Sequence, residues 1–279
     1  MSFAWMPTIY GLIAALTWGA GDFSGGIATK RTNAFSVVIV AHTSSMLLLI
    51  LTALILHDPY PSLNGWLWGG AAGLGGGFGL MLLYKALATG RMAVAAPVSA
   101  MVAAGIPVAI AGLLEGLPGF IVLFGFILAM LAIWLLTGGG GENYFLADLR
   151  LPVMAGIAFG FFFLCLHQAS TTSVLYPLIA VRIVSILSLL LYALLSRQPI
   201  IPTRNSLIPI LLSGILDTFG NAAFIFAARF GRVDIAAVLS SLYPGSTVLL
   251  AWFFLKERIS RKQVFGVFLA LIAIILITT

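Results

Sequence analysis

"ATGRMAVAAPVSAM", Ala88 to Met101, returns in the second half of the chain as "RFGRVDIAAVLSSL", Arg229 to Leu242. Both copies set a Gly-Arg or Thr-Gly-Arg corner just ahead of an apolar run. The correspondence extends outward. "PTIYG" (Pro7 to Gly11) lines up with "PVMAG" (Pro152 to Gly156), and Gly125 falls on Gly266. Between the copies lies "TGGGGENYFLADLRLP", Thr137 to Pro152, whose glycine run reads as a flexible linker. The chain therefore divides into a first repeat over 1–137, a linker over 138–151 and a second repeat over 152–279.

Each repeat has the composition of a segment that lives in lipid. The 279 residues are 61% hydrophobic and 8% charged, with a mean hydropathy of +1.14. Soluble chains carry about 25% charged residues. An all-α polytopic membrane protein is the expected class, since helices satisfy their own backbone hydrogen bonds in lipid. A spanning helix needs roughly 20 mostly apolar residues. Ten stretches qualify, near 7–27, 34–56, 65–88, 92–114, 119–137, 152–172, 175–196, 206–228, 234–255 and 262–279. An odd number of spans per repeat forces the second copy to enter the membrane upside down. The expected fold is ten transmembrane helices arranged as two inverted five-helix repeats. In secondary transporters built this way the substrate sits near the midplane, between the halves.

The charges orient that fold. Loops that share one side of the membrane hold Lys30, Arg31, Arg91, Arg150, Arg197, Arg204, Lys256, Arg258, Arg261 and Lys262, with Lys85 able to snorkel to it. The other side holds Arg229 and Arg232. By the positive-inside rule the first side is cytoplasmic. This predicts a multi-pass protein of the cytoplasmic (inner) membrane with both termini outside. The formal charge of +6 is then a matter of orientation, and no nucleic-acid partner is expected. The N-terminus lacks a basic region and a small-residue cleavage site, and reads as a retained first helix. The single cysteine, Cys165, allows no intrachain disulfide.

Ionisable groups inside a bilayer cost at least a few kcal/mol each on insertion scales, so they are the candidate site. Asp22 lies one turn from Trp18 on the same face of the first span. His42 lies in the second span, and Arg182 at a similar depth in the seventh, entering from the opposite side. His167 is in the sixth span. Asp217 is near the centre of the eighth, with Asn221 one turn on. Neutral, hydrogen-bonded packing is the alternative for the histidines, and mutual neutralisation for Arg182 and Asp217. Trp18, Tyr84, Phe163 and Tyr243 could wall a cage for an apolar or cationic substrate, or simply pack. Gly69, Gly73 and Gly77 recur every four residues in the third span, a close-packing face. The "GLGGGFG" within it has no lysine of a phosphate-binding loop. Pro97, Pro107 and Pro244 are expected to kink the fourth and ninth spans.

"FFLKERIS" (Phe253 to Ser260) ahead of a final apolar helix, and "LTWGAGDF" (Leu16 to Phe23) in the first span, resemble EamA-type transporters of the drug/metabolite transporter superfamily. Arg182 stands where that family often has an arginine. The resemblance covers nearly the whole chain. It departs where His42 replaces the arginine in the first half, where Phe163 replaces Trp18 in the second, and where "LLEGLPG" (Leu113 to Gly119) keeps Glu115 but loses the basic cluster.

The resemblance implies a secondary transporter that moves small metabolites by alternating access. Amino acids are favoured, because an arginine beside aromatics suits a carboxylate with a side chain, and export is the expected direction. Uptake or facilitated passage of sugars, nucleotide-like metabolites or cationic drugs is the alternative. An intramembrane enzyme or an accessory membrane protein is the alternative of another class. Against an enzyme, there is no HExxH, no GxSxG and no Asp-rich phosphatidyltransferase signature. No catalytic residue, cofactor or metal is expected. The expected partners are a small-molecule substrate, protons and the lipid bilayer, with the chain a monomer or homodimer.

Overall fold

A computed structural model describes residues 5–88, 92–114, 116–136, 149–255 and 260–277. Arg91, Glu115, the glycine-rich linker and the central charges of the C-terminal cluster (256–259) lie outside the described residues. All regular structure among the described residues is helical: α1 (Met6–Thr29), α2 (Ala34–Leu56), α3 (Leu63–Ala88), α4 (Met92–Leu114), α5 (Phe120–Leu136), α6 (Arg150–Ala169), α7 (Leu175–Leu195), α8 (Leu207–Phe230), α9 (Val233–Ser240), α10 (Tyr243–Leu255) and α11 (Arg261–Ile277). Five of them, α2, α3, α6, α7 and α8, are each long and apolar enough to cross a membrane.

Local chemistry sets several of the ends. Asn33 caps α2 by accepting from the Phe35 N–H at 2.7 Å. Pro7 and Pro152 sit in the first turns of α1 and α6, where a missing N–H costs nothing. Just past α2 and α7, His57 and Arg197 turn the chain with left-handed φ of 50° and 52°. The same device thus closes the second helix of each half.

One expectation is corrected. The stretch 234–255 is not one spanning helix but two, α9 and α10, separated by Ser241 and Leu242. Pro244 explains the interruption: it has no N–H to give the carbonyl of Ser240, and its ring clashes with the preceding turn. It sits instead at the start of α10, where it is tolerated. Pro97 and Pro107, by contrast, stay within the continuous helix α4.

The principal helix pairs map onto one another when each helix is exchanged for its counterpart in the other half. α1 packs on α8 as α6 packs on α3, and α2 on α8 as α7 on α3. α1 packs on α9 and α10 as α6 packs on α4, while α2 meets α7 and α5 meets α11. Direction follows from the contacts. At one end Asn33 donates to Gln198 Oε1 (3.0 Å) and Ser36 to the Pro199 carbonyl (2.8 Å), and farther in His42 meets Ser185. α2 and α7 therefore run antiparallel. Short connections reverse the chain between α1 and α2 and between α6 and α7, so α1 and α6 also run in opposite senses.

Glycine permits the closest of these contacts. Gly69, Gly73 and Gly77 face α7, where a Cβ on Gly73 would lie 2.6 Å from the Val181 carbonyl. A Cβ on Gly75, on the opposite face of α3, would lie 2.7 Å from the Ala158 carbonyl of α6. With lipid as apolar as the side chains, helices associate through such backbone approach. The "GLGGGFG" run is thus a packing surface that inserts α3 between α6 and α7.

The two ends of the bundle are closed differently. At one, Asp58 after α2 accepts from Ser173 Oγ (2.5 Å) and the Leu175 N–H (2.9 Å). There Arg229 donates to the carbonyls of Ser170 (2.5 Å) and Ser173 (2.7 Å). Nearby, fully buried Asp234 pairs with Arg232 at 3.0 Å. The other end holds the Asn33–Gln198 contact, and Arg31 donates to the Asn205 carbonyl at 3.3 Å.

Candidate functional site

Arg182 lies in the middle of α7 and is 1% exposed, too deep to reach water by snorkelling. α8 brings it a carboxylate. Arg182 Nη2 donates to Asp217 Oδ2 at 2.6 Å and to Thr218 Oγ1 at 2.9 Å. Both bonds come from one nitrogen. Arg182 Nε is buried with no hydrogen-bond partner. The guanidinium fork is therefore incompletely used, although buried donors are normally satisfied.

Asp217 is the hub. Asn221, one turn on in α8, donates from Nδ2 to Asp217 Oδ2 at 3.1 Å. The other end of the Asn221 amide accepts from Trp18 Nε1 at 3.0 Å. From α2, His42 Nε2 stands 3.9 Å from the same Asp217 oxygen, while His42 Nδ1 bonds Ser185 Oγ at 2.7 Å. Asp217 is 20% exposed where Arg182 and His42 are at most 2% exposed. Of the three, the carboxylate is the most open to the space beside it.

That space is a cavity of about 50 Å³ between the halves. Its polar lining is Asp22, His42, Arg182, Asp217 and Asn221. Its aromatic lining is Trp18, Phe159, Phe162, Phe163 and Tyr243. Trp18 stacks on Phe163 at 5.5 Å between centroids, and Phe163 on Phe224 at 4.7 Å. The Tyr243 hydroxyl donates to the Ala96 carbonyl at 3.3 Å. Tyr84 lies against the lining, its hydroxyl bonded to Ser213 Oγ at 2.9 Å and close to the Asp22 carboxyl.

The pseudo-symmetry explains why these residues meet. Trp18 and Phe163 hold equivalent places in α1 and α6, and His42 and Arg182 equivalent places in α2 and α7. A residue near the axis that relates the halves meets its own counterpart. His167, near the end of α6, is half-buried and outside this cavity. Several partners are not among the residues the sequence singles out, among them Ser185, Thr218, Phe159 and Phe162. Ser185 is one turn from Arg182 on the same face of α7, a signal that was available. Thr218 adjoins Asp217 and carries no signal of its own. Phe162 was hidden among 20 phenylalanines. No group of His, Cys, Asp and Glu among the described residues could hold a metal ion.

A helical chain whose two halves enclose a polar, aromatic-walled cavity at their interface has the build of a membrane transporter. The family comparison agrees. The model of the EamA-like transporter family matches twice, over residues 5–138 and 149–279. The chain belongs to the EamA-like transporter family, within the drug/metabolite transporter superfamily. It is similar to the uncharacterized protein MJ1333.1 of Methanocaldococcus jannaschii, 34% identical over 104 residues, 37% of this chain and 76% of that protein. It is also similar to the uncharacterized transporter YyaM of Bacillus subtilis, 32% identical over 77 residues. That match spans 27% of this chain and 25% of the relative's length. A solved crystal structure shares the fold with a TM-score of 0.78 at 16% identity, over 98% of each chain.

Proposed function

We propose that this transporter carries small zwitterionic or anionic metabolites, amino acids first, by alternating access around the Arg182–Asp217 cavity, with Asp217 coupling transport to protons. The observation that carries the reading is the half-used guanidinium. Arg182 spends one nitrogen on Asp217 and Thr218 and keeps a buried donor unmatched. An incoming carboxylate can take the free edge of the fork or displace Asp217, and a bidentate arginine–carboxylate pair is among the stronger polar contacts. The aromatic wall would pack on the rest of the substrate, and Asp22 would face a substrate ammonium. In this reading the two repeats, 1–137 and 152–279, rock against each other, and export runs from the basic side.

Counterflow in liposomes tests the reading. Vesicles of the purified protein, preloaded with one unlabelled compound, are assayed for uptake of labelled amino acids, sugars and cationic dyes. Saturable counterflow of amino acids, competed by other carboxylates, is the expected result. Counterflow of a cationic dye alone would overturn the substrate class.

The orientation is tested by labelling. Cys165 is buried and is first replaced by serine. A cysteine at exposed Ser260 is expected to be protected from impermeant thiol reagents in intact cells. Gly116 is unsuited as the external reporter, since its φ of 84° strains any side chain. Its neighbour Leu117, 71% exposed, is expected to react from outside. The reverse pattern would place the basic loops outside.

A further inference from the structure

A second cavity, of about 380 Å³, opens at the end of the bundle that carries the basic loops. It lies between the α1–α2 connection, the last turn of α3 and the end of α7. Its polar lining includes Lys85, Asn33, Thr32 and Gln198. Its apolar wall includes Phe35 and Tyr192, whose rings stack at 5.6 Å. Among the described residues that line it, none is acidic. Tyr192 is 50% exposed on the outer face of a membrane-spanning helix, so the cavity communicates with the lipid side of the bundle.

The fold supplies its own comparison. Exchanging the halves carries this cavity to the other end, onto the α6–α7 connection, the last turn of α8 and the end of α2. There the cation, Arg229, is bonded to the Ser170 and Ser173 carbonyls, and Asp58 stands in the same cluster. There the cation is satisfied by the protein's own carbonyls and has its counter-charge nearby. The Lys85 copy keeps a cation, amide and hydroxyl groups and open volume, with no carboxylate among the described residues that line it.

We propose that the Lys85 cavity binds the phosphate of an anionic phospholipid, with the glycerol and first acyl carbons packed along Phe35 and Tyr192. The Lys85 ammonium would meet the phosphate, with donors from Asn33, Gln198 and Thr32 around it. Basic pockets between helices on the cytoplasmic side are suited to anionic headgroups. The amphipathic lining favours a lipid over a soluble anion, because free phosphate would leave the aromatic wall unused. Such a lipid would wedge the α1–α2 connection against α7, the contact made by Asn33 and Gln198.

The test uses the full chain, purified in neutral detergent, with thermal stability followed as lipid is added. Phosphatidylglycerol is expected to stabilise the protein and phosphatidylcholine not to. Lys85→Gln is expected to raise the half-saturating phosphatidylglycerol concentration about fivefold, the weight of one cation beside an anionic surface. Lys85→Arg keeps the charge and is expected to leave it unchanged. It also keeps the test decisive if the glutamine variant does not fold. Lys30→Gln, at the same end but outside the cavity lining, should match the wild type. Equal stabilisation by both lipids, an unshifted Lys85→Gln, a shifted Lys85→Arg, or an equal shift in Lys30→Gln would each overturn the proposal. Stabilisation by inorganic phosphate without any by phosphatidylglycerol would overturn the lipid as ligand.

Discussion

Arg182→Lys lowers the exchange rate by more than an order of magnitude while the protein still inserts and folds. Lysine keeps the charge opposite Asp217, so the ion pair persists in some form. It loses the planar fork and with it the unmatched Nε. An ammonium is also more strongly hydrated than a guanidinium and is poorly served at 1% exposure. Were the pair purely structural, Arg182→Lys would cost stability and spare the rate in the folded fraction. Arg182→Leu alone is a poor probe. It strands Asp217 and is expected to destabilise by about 3–5 kcal/mol, as when one partner of a buried pair is removed. The double variant Arg182→Leu, Asp217→Leu removes both charges, which is often neutral for stability. It is expected to fold and to show no exchange. Normal exchange by that double variant would relegate the pair to scaffolding.

Asp217→Asn abolishes gradient-driven accumulation and retains exchange. In the proposed cycle Asp217, which pairs with Arg182, carries the coupled proton. Asparagine mimics the protonated form at nearly equal size. It still offers an oxygen to Arg182 Nη2, so the stability loss is expected to stay below the about 3–5 kcal/mol of losing a partner outright. The hydrogen bonds give the switch a route outward: Asn221 joins Asp217 to Trp18, and Trp18 stacks on Phe163 across the two halves. Accumulation and exchange are measured in the same proteoliposomes, with and without a pH gradient. Unchanged pH-dependent accumulation would move the coupling to Asp22, the other carboxyl of the cavity. Loss of folded protein, seen by size-exclusion chromatography, would favour the structural reading of the pair.

The membrane class, the repeat and the family were legible in the sequence because they are written along the chain. Hydropathy is local, a repeated corner such as "ATGRM" and "RFGRV" is local, and a charged group within an apolar run is conspicuous wherever it lies. Hence Arg182, Asp217, His42 and Asp22 stand out as candidates from the sequence alone. The sequence also marked Gly69, Gly73 and Gly77 as a packing face, without saying which helix they receive. Only the tertiary structure decided that this helix is α7. It also decided that Arg182 meets Asp217 through one nitrogen, that Trp18 finds Phe163, and that His167 stays outside the cavity. The physical reason is that which faces of two helices meet depends on their rotation and tilt. In lipid these are set by close packing and hydrogen bonds between spans, not by a hydrophobic face that a sequence displays. The break at Ser241 and Leu242 belongs with them: Pro244 warned of a distortion, but whether a helix bends or stops depends on what its neighbours can offer the freed backbone groups.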